Sequence, residues 1–259
     1  MSVWTPLSSA NGLAGGLNTE RLDPEQLQTL HDVLQTLKPV LEPQQQNGTA
    51  ILLTWDQLYA PLAAPQRAFL DAFRSLDAQA LGSTAHHFGE LTAAPEVVPV
   101  GQQMLHQDQV SQPLPPQYLP RDVLQAYSSM MDAMQQQLGK RLYVESGYRS
   151  PAYQLYLFLG YLSNHDYSIR ETNRYVALPG HSEHGYPPRQ AIDFINQQGI
   201  SGENHPEEFE ALPEYGWLQQ HARDFGFFLS YPRNNASNTA FEPWHWHYEP
   251  PQEPPGRRQ

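Results

Sequence analysis

Cysteine is absent from the whole 259-residue chain. That excludes disulfides and any thiolate metal site, so a metal here must be held by nitrogen and oxygen. It fits cytoplasm, periplasm or exterior equally. Lysine is nearly absent as well, with only Lys38 and Lys140. Lys and Arg total 15 against 27 Asp and Glu, a net charge of −12 with no basic stripe. That argues against nucleic acid as a partner. Long apolar runs are missing too. Nothing approaches the roughly 18 apolar residues of a membrane-spanning helix. The first positive residue is Arg21, and no apolar stretch of signal-peptide type precedes it. The chain therefore reads as soluble with no visible signal peptide. It is cytoplasmic as written, or exported or periplasmic if a leader lies outside this sequence, and the compartment stays open.

What is present suits a folded core. Hydrophobic residues make up 39% and aromatics 11%, the latter crowded into the second half. Residues 1–22 read as irregular. Asp23, Pro24 and Gln26 form a helix-start pattern. Leu27, Leu30, Leu34 and Leu37 follow at helical spacing, with Pro39 as the expected end. Residues 51–55 fit a short strand or a helix start. Pro65 to Leu81 reads as a second amphipathic helix, with Phe69, Leu70, Phe73 and Leu76 on one face and Gly82 beyond its end. His86 and His87 sit on a polar turn, where solvated histidines are the commoner outcome.

Residues 92–119 are rich in Pro, Gln and Val without a period, and read as a segment that wraps the surface or pads a sheet edge. A third helix is expected from about Pro120 to Leu138, its Val123, Tyr127, Met131 and Met134 stripe facing the core and Gly139 stopping it. Leu142–Val144 should be a short strand. Ser150 and Pro151 start a helix whose apolar run must be largely buried. A helix over Pro213–Phe225, a strand over Phe227–Tyr231 and a last strand over Trp244–Tyr248 follow. The chain divides into a helical N-terminal extension (1–95), a main domain (96–252) and a loose tail (253–259). The apolar stripes of the extension need a partner, so it should pack on the main domain.

Chemistry concentrates in three stretches: SGYRS at Ser146–Ser150, LPGHSEHGYPPRQAIDF at Leu178–Phe194, and EPWHWHY at Glu242–Tyr248. They offer two imidazoles and a carboxylate for a metal, a Glu for protons and an Arg for an anion, the parts of a one-zinc hydrolase. The candidate ligands are His184, Asp193 and His245, with His247 competing because it shares a strand face with His245. Glu242 and His245 have opposite parity and diverge unless the chain bends at Pro243. Trp244 and Trp246 would share the inward face. Glu242 is otherwise a solvated rim carboxylate. Arg149 could hold an oxyanion or a substrate carboxylate, with Gln154 as an amide donor beside it; the bland alternative is a surface ion pair.

Four blocks in order, SGYRSPAYQ, PGHSEHGYPPRQAIDF, FGFFLSYP and EPWHWHY, resemble the VanY-type D-alanyl-D-alanine carboxypeptidases. That zinc-peptidase group includes the VanX dipeptidases and is related to the Hedgehog domain. The resemblance covers roughly residues 118–249. It implies an α+β fold, a small mainly antiparallel sheet with packed helices and a zinc cleft. It implies one Zn²⁺ per chain on His184, Asp193 and His245, with Glu242 as general base and Arg149 as anion stabiliser. Ser182, Gln154 and Trp244 would bind substrate, expected to be peptidoglycan stem peptides or D-Ala-D-Ala peptides. The alternative is a non-catalytic or weakly active zinc-binding module that binds cell-wall peptides. One departure stands out. Eight residues, Gly185–Ile192, lie between His184 and Asp193, two more than the family's usual spacing. A Pro187–Pro188 bulge must loop outward to keep the ligands together.

Overall fold

The structure, a computed structural model, describes residues 16–250 apart from 83–85, 91–94, 108–109, 204 and 238. The expected loose tail thus lies outside the described residues. So do residues 1–15, and residues 16–22 hold no helix or strand.

The first helix, α1 (Pro24–Gln46), starts where its capping residues place it. The Asp23 carboxylate accepts from the Glu25 and Gln26 amides, while the Gln26 side chain accepts from the Asp23 amide. It does not end at Pro39. It runs on through Pro39 and Pro43, each of which lacks an amide donor. Burial explains the continuation. Leu30, Val33, Leu37 and Leu41 are sealed from solvent on one face, and stopping at Pro39 would forfeit Leu41. A tight turn at Ala50–Leu52 leads into α2 (Trp55–Tyr59), capped by Thr54, so this segment is a helix start and not a strand. Next, α3 (Ala64–Arg74) buries Phe69, Leu70 and Phe73 but stops well short of Leu81. Turns continue from there to Gly82, whose φ of +87° suits a residue without Cβ.

The aperiodic segment holds four short strands: β1 (Val97–Pro99) with β4 (Tyr118–Pro120), and β2 (Met104–Gln107) with β3 (Val110–Pro113). Strands this brief show no alternation in sequence. The segment also pads a sheet edge as expected. The Gln103 side chain donates to the Val144 carbonyl (2.8 Å) and accepts from the Val144 amide (2.7 Å), mimicking a neighbouring strand.

The remaining elements are α4 (Arg121–Leu138), β5 (Leu142–Ser146), α5 (Pro151–Tyr161), α6 (Ile169–Thr172), β6 (Ala191–Asn196), α7 (Pro206–Glu210), α8 (Pro213–His221), β7 (Phe227–Leu229) and β8 (His245–Tyr248). The expected helix over Pro213–Phe225 tightens to a 3-10 turn at Ala222–Phe225 before Gly226. The strand expected to reach Tyr231 ends at Leu229, and Trp244 lies in a turn before β8.

β5, β6, β8 and β7 form one antiparallel sheet in that order. The fold is therefore α+β. Two apolar clusters support it. One joins α4, the sheet and α8 around Met131, Phe194 and Trp246. The other joins α1, α2 and α3 to α5 through Leu155, Phe158 and Leu159. The N-terminal helices thus share a core with a helix of the main domain. No helix among the described residues is long and apolar enough to cross a membrane.

Candidate metal centre and cleft

Sheet register assembles the site. Asp193 on β6 lies directly opposite His245, the first residue of β8. On its other side Asp193 pairs with Ser146, just past a bulge in β5. The bulge turns the chain into Gly147–Ser150. Gly147 is forced there, because a Cβ would collide with the Tyr118 carbonyl that accepts from the Tyr148 amide. The Arg149 amide donates to the His184 carbonyl (3.0 Å), which ties this loop to the 3-10 turn Glu183–Gly185.

His184, Asp193 and His245 each offer one donor atom within 4.8 Å of the others, the only such trio of His or carboxylate groups among the described residues. The ring of His184 is fully enclosed. Its Nδ1 donates to the Gly147 carbonyl (2.7 Å), so Nε2 carries the lone pair. That Nε2 lies 3.0 Å from Asp193 Oδ2 yet has no hydrogen-bond partner. Two acceptors face each other in a buried place, an arrangement that a cation resolves. Asp193 Oδ1 lies 2.8 Å from His245 Nδ1. His245 Nε2 is 3.0 Å from Glu183 Oε2. These donors therefore fit a divalent ion, and N/O donors suit Zn²⁺.

Titration agrees. Burial, and then the charge of Arg149, push the His184 pKa down to about 4, leaving it neutral. Burial opposes charge on His245, but Asp193 and Glu183 outweigh it and raise the pKa to about 10. Asp193 is held well below the usual carboxylate range by the two imidazoles, against the effect of burial.

The bend at Pro243 is present. Glu242–Trp244 form a turn ahead of β8, and Glu242 Oε2 sits 3.7 Å from His245 Nδ1. Its side chain is only 15% exposed, so it is no rim carboxylate. Burial raises its pKa to about 7. Arg149, Gln154, Ser182 and Trp244 line the same cleft, about 350 Å³ in volume. Arg149 makes no ion pair with a described carboxylate, and its Nε is buried without a partner. Gln154 donates to the Ala177 carbonyl (2.8 Å), leaving its own carbonyl oxygen unpaired.

Two expectations change. His247 stands outside the trio. Although it shares a face with His245, its Nδ1 lies 2.7 Å from Ser230 Oγ and its Nε2 3.3 Å from Glu249. Trp244 does not pair with Trp246. The strand begins only at His245, so Trp246 is buried with its indole N–H on the Pro243 carbonyl while Trp244 faces the cleft. His86 and His87 are exposed, as expected of solvated histidines.

Sequence reasoning missed Glu183, which is buried beside His245, and Arg189, which holds it (2.7 Å). A Ser-x-His pattern treats its middle residue as free. It also missed Glu145 and Glu203 on the cleft wall.

The model of the VanY family, described as D-alanyl-D-alanine carboxypeptidase, matches residues 116–251, more than half of the chain. The chain belongs to that family. The putative carboxypeptidase YodJ of Bacillus subtilis (strain 168) is 31% identical over 136 residues, 51% of this chain and 46% of that one. The chain thus spans about half the length of this curated relative. Among solved structures, the LdcB LD-carboxypeptidase is 26% identical, with 63% of this chain and 71% of that chain covered and a TM-score of 0.44. The Zn(II) complex of the D,D-pentapeptidase VanY from a VanB-type resistance cassette is 20% identical, with 57% and 79% covered and a TM-score of 0.42.

Proposed function

We propose that this VanY-family chain is a zinc metallopeptidase hydrolysing a D-alanyl-D-alanine-type bond in peptidoglycan stem peptides. The observation that carries the reading is the convergence of three potential ligand atoms, on His184, Asp193 and His245, with the Glu242 carboxylate alongside. His184 through Nε2, Asp193 through its carboxylate and His245 through Nδ1 would hold one Zn²⁺. Bound there, the ion would supply Lewis acidity toward the scissile carbonyl and toward a water molecule.

The chain's own groups do the rest. Glu242 accepts the proton of the attacking water at its carboxylate and returns it to the leaving amine. Arg149, in no ion pair with a described carboxylate, donates to the oxyanion or to the substrate's terminal carboxylate. The unpaired Gln154 carbonyl accepts a substrate N–H. Ser182 and Trp244 shape the wall. The longer stretch between ligands folds into a 3-10 turn at Pro187–Arg189 and leaves the trio intact, which favours the enzyme over a non-catalytic module.

The test is metal content of the purified protein together with D-alanine release from a D-alanyl-D-alanine peptide. One zinc per chain and chelator-sensitive release are expected. A protein that takes up no zinc and releases nothing sinks the reading.

A further inference from the structure

Glu183 precedes His184 in sequence, yet the two side chains serve different partners. The 3-10 turn at Glu183–Gly185 sends His184 to Asp193 and Glu183 to His245. Glu183 is 4% exposed. Its Oε2 lies 3.0 Å from His245 Nε2 and accepts from Ser230 Oγ at 2.5 Å. Its Oε1 accepts from Arg189 Nε at 2.7 Å. Arg189 also pairs with Glu249 and lies 3.3 Å from His247 Nδ1. Arg189 comes from the 3-10 turn at Pro187–Arg189, between His184 and Asp193 in the chain.

An imidazole can present either nitrogen to a metal, and the bond made by the other nitrogen decides which. A carboxylate fixed on Nε2 claims that nitrogen's proton and leaves Nδ1, on the Asp193 side, as the ligand. A carboxylate left to rotate would not. Its partners immobilise this one. The hydroxyl of Ser230 and the guanidinium of Arg189 occupy its remaining lone pairs, and the arginine balances its buried charge.

We infer that Glu183 is a positioning residue that commits His245 to bind metal through Nδ1, and that Arg189, carried by the inter-ligand stretch, locks Glu183 in that role. This rests on the metal reading above. The stretch between His184 and Asp193 thereby brings a cation to the outer side of the site.

The experiment measures zinc affinity by chelator competition for the full chain, Glu183→Gln, Glu183→Ala and Arg189→Ala. It also records nitrogen-15 spectra of the histidine rings in the zinc-loaded proteins. In the parent, one ligand ring should be metal-bound at Nε2 and the other at Nδ1 with a proton on Nε2. Loss of such an outer partner costs about 10–100-fold in metal affinity. Glu183→Ala should show that loss and a disordered or switched His245 pattern. Glu183→Gln, whose amide oxygen still accepts from Nε2–H, should fall between it and the parent, and Arg189→Ala should weaken binding less than Glu183→Ala. If Glu183→Ala does not fold, the Gln and Arg189 variants decide. Variants with parental affinity and an unchanged Nδ1 pattern overturn the inference and leave the metal reading standing. A parent that binds no zinc overturns both.

Discussion

The two apolar clusters differ in what they enclose. The cluster of α1–α3 and α5 is built of Leu, Val and Phe, with few polar groups buried beside it. The cluster of α4, the sheet and α8 is bordered by Glu183, His184, Gln190, Asn196, His245 and His247, all buried. Apolar burial stabilises, whereas buried charge costs free energy unless it is paired. The first region thus contributes stability, and the second holds the proposed site. They meet at the start of α5. The Ser150 amide donates to the Ile51 carbonyl (2.9 Å) and its hydroxyl to the Leu53 carbonyl (2.5 Å), next to Arg149. The helical N-terminal segment therefore ties down the loop that carries Arg149.

That division can be broken most severely by truncation. We propose that residues 1–95 are a sequence extension but not an independent folding unit. A chain starting at residue 96 would bare the Leu155–Phe158–Leu159 face of α5. It should be aggregated or unfolded by circular dichroism and gel filtration. A cooperative melt at the parental temperature would show the cores to be independent.

Within the chemical region, Glu242→Ala should keep its zinc and lose about 10²–10⁴-fold in turnover. His245→Ala should lose both. Arg149→Ala should keep zinc and lose about 10²–10³-fold. Equal zinc loss in Glu242→Ala and His245→Ala would erase the distinction between base and ligand.

In the stabilising region, Phe158→Ala removes a fully buried ring that meets Phe73 edge-on at 6.1 Å. Unfolding in urea should register a loss of about 3–5 kcal/mol, with zinc stoichiometry unchanged in the folded fraction. At the junction, Ser150→Ala removes the α5 cap on the Tyr153 amide and the tie to Leu53. A loss of about 0.5–2 kcal/mol is expected from the cap. A larger fall in turnover than in zinc affinity would reveal the link to Arg149.

The smallest effect concerns Glu145 on the cleft wall. Burial raises its pKa to about 7, against a hydrogen bond from Ser201 that lowers it. A carboxyl raised on folding favours the fold fully below its unfolded pKa of about 4.5 and loses that contribution as pH rises through about 7. In the presence of chelator, the melting temperature of the parent relative to Glu145→Gln should therefore fall between pH 5 and pH 8. A constant gap would mean that Glu145 stays solvated.

Much was legible in advance because it is local. The Asp23 capping box, the Met stripe of α4 and the Ser150 cap of α5 each depend on residues within a turn or two of one another. The order of the chemical blocks carried the metal trio. Other features were illegible because their causes lie far along the chain. The continuation of α1 through Pro39 depends on a pocket for Leu41. The edge-capping by Gln103 needs Val144, and Trp244 turns to the cleft only because β8 begins one residue later.

By itself, the sequence limited any metal site to nitrogen and oxygen donors, indicated an α+β chain with a helical extension, and named the residues proposed as ligands, base and arginine. Tertiary structure alone decided which nitrogen of each histidine faces the others. A tautomer follows from hydrogen bonds to Gly147 and Glu183, and those partners reach the rings only once β5, β6 and β8 are in register. It also decided where the Gly185–Ile192 stretch goes. A residue count shows eight residues between His184 and Asp193, but only the fold shows Arg189 brought back against Glu183.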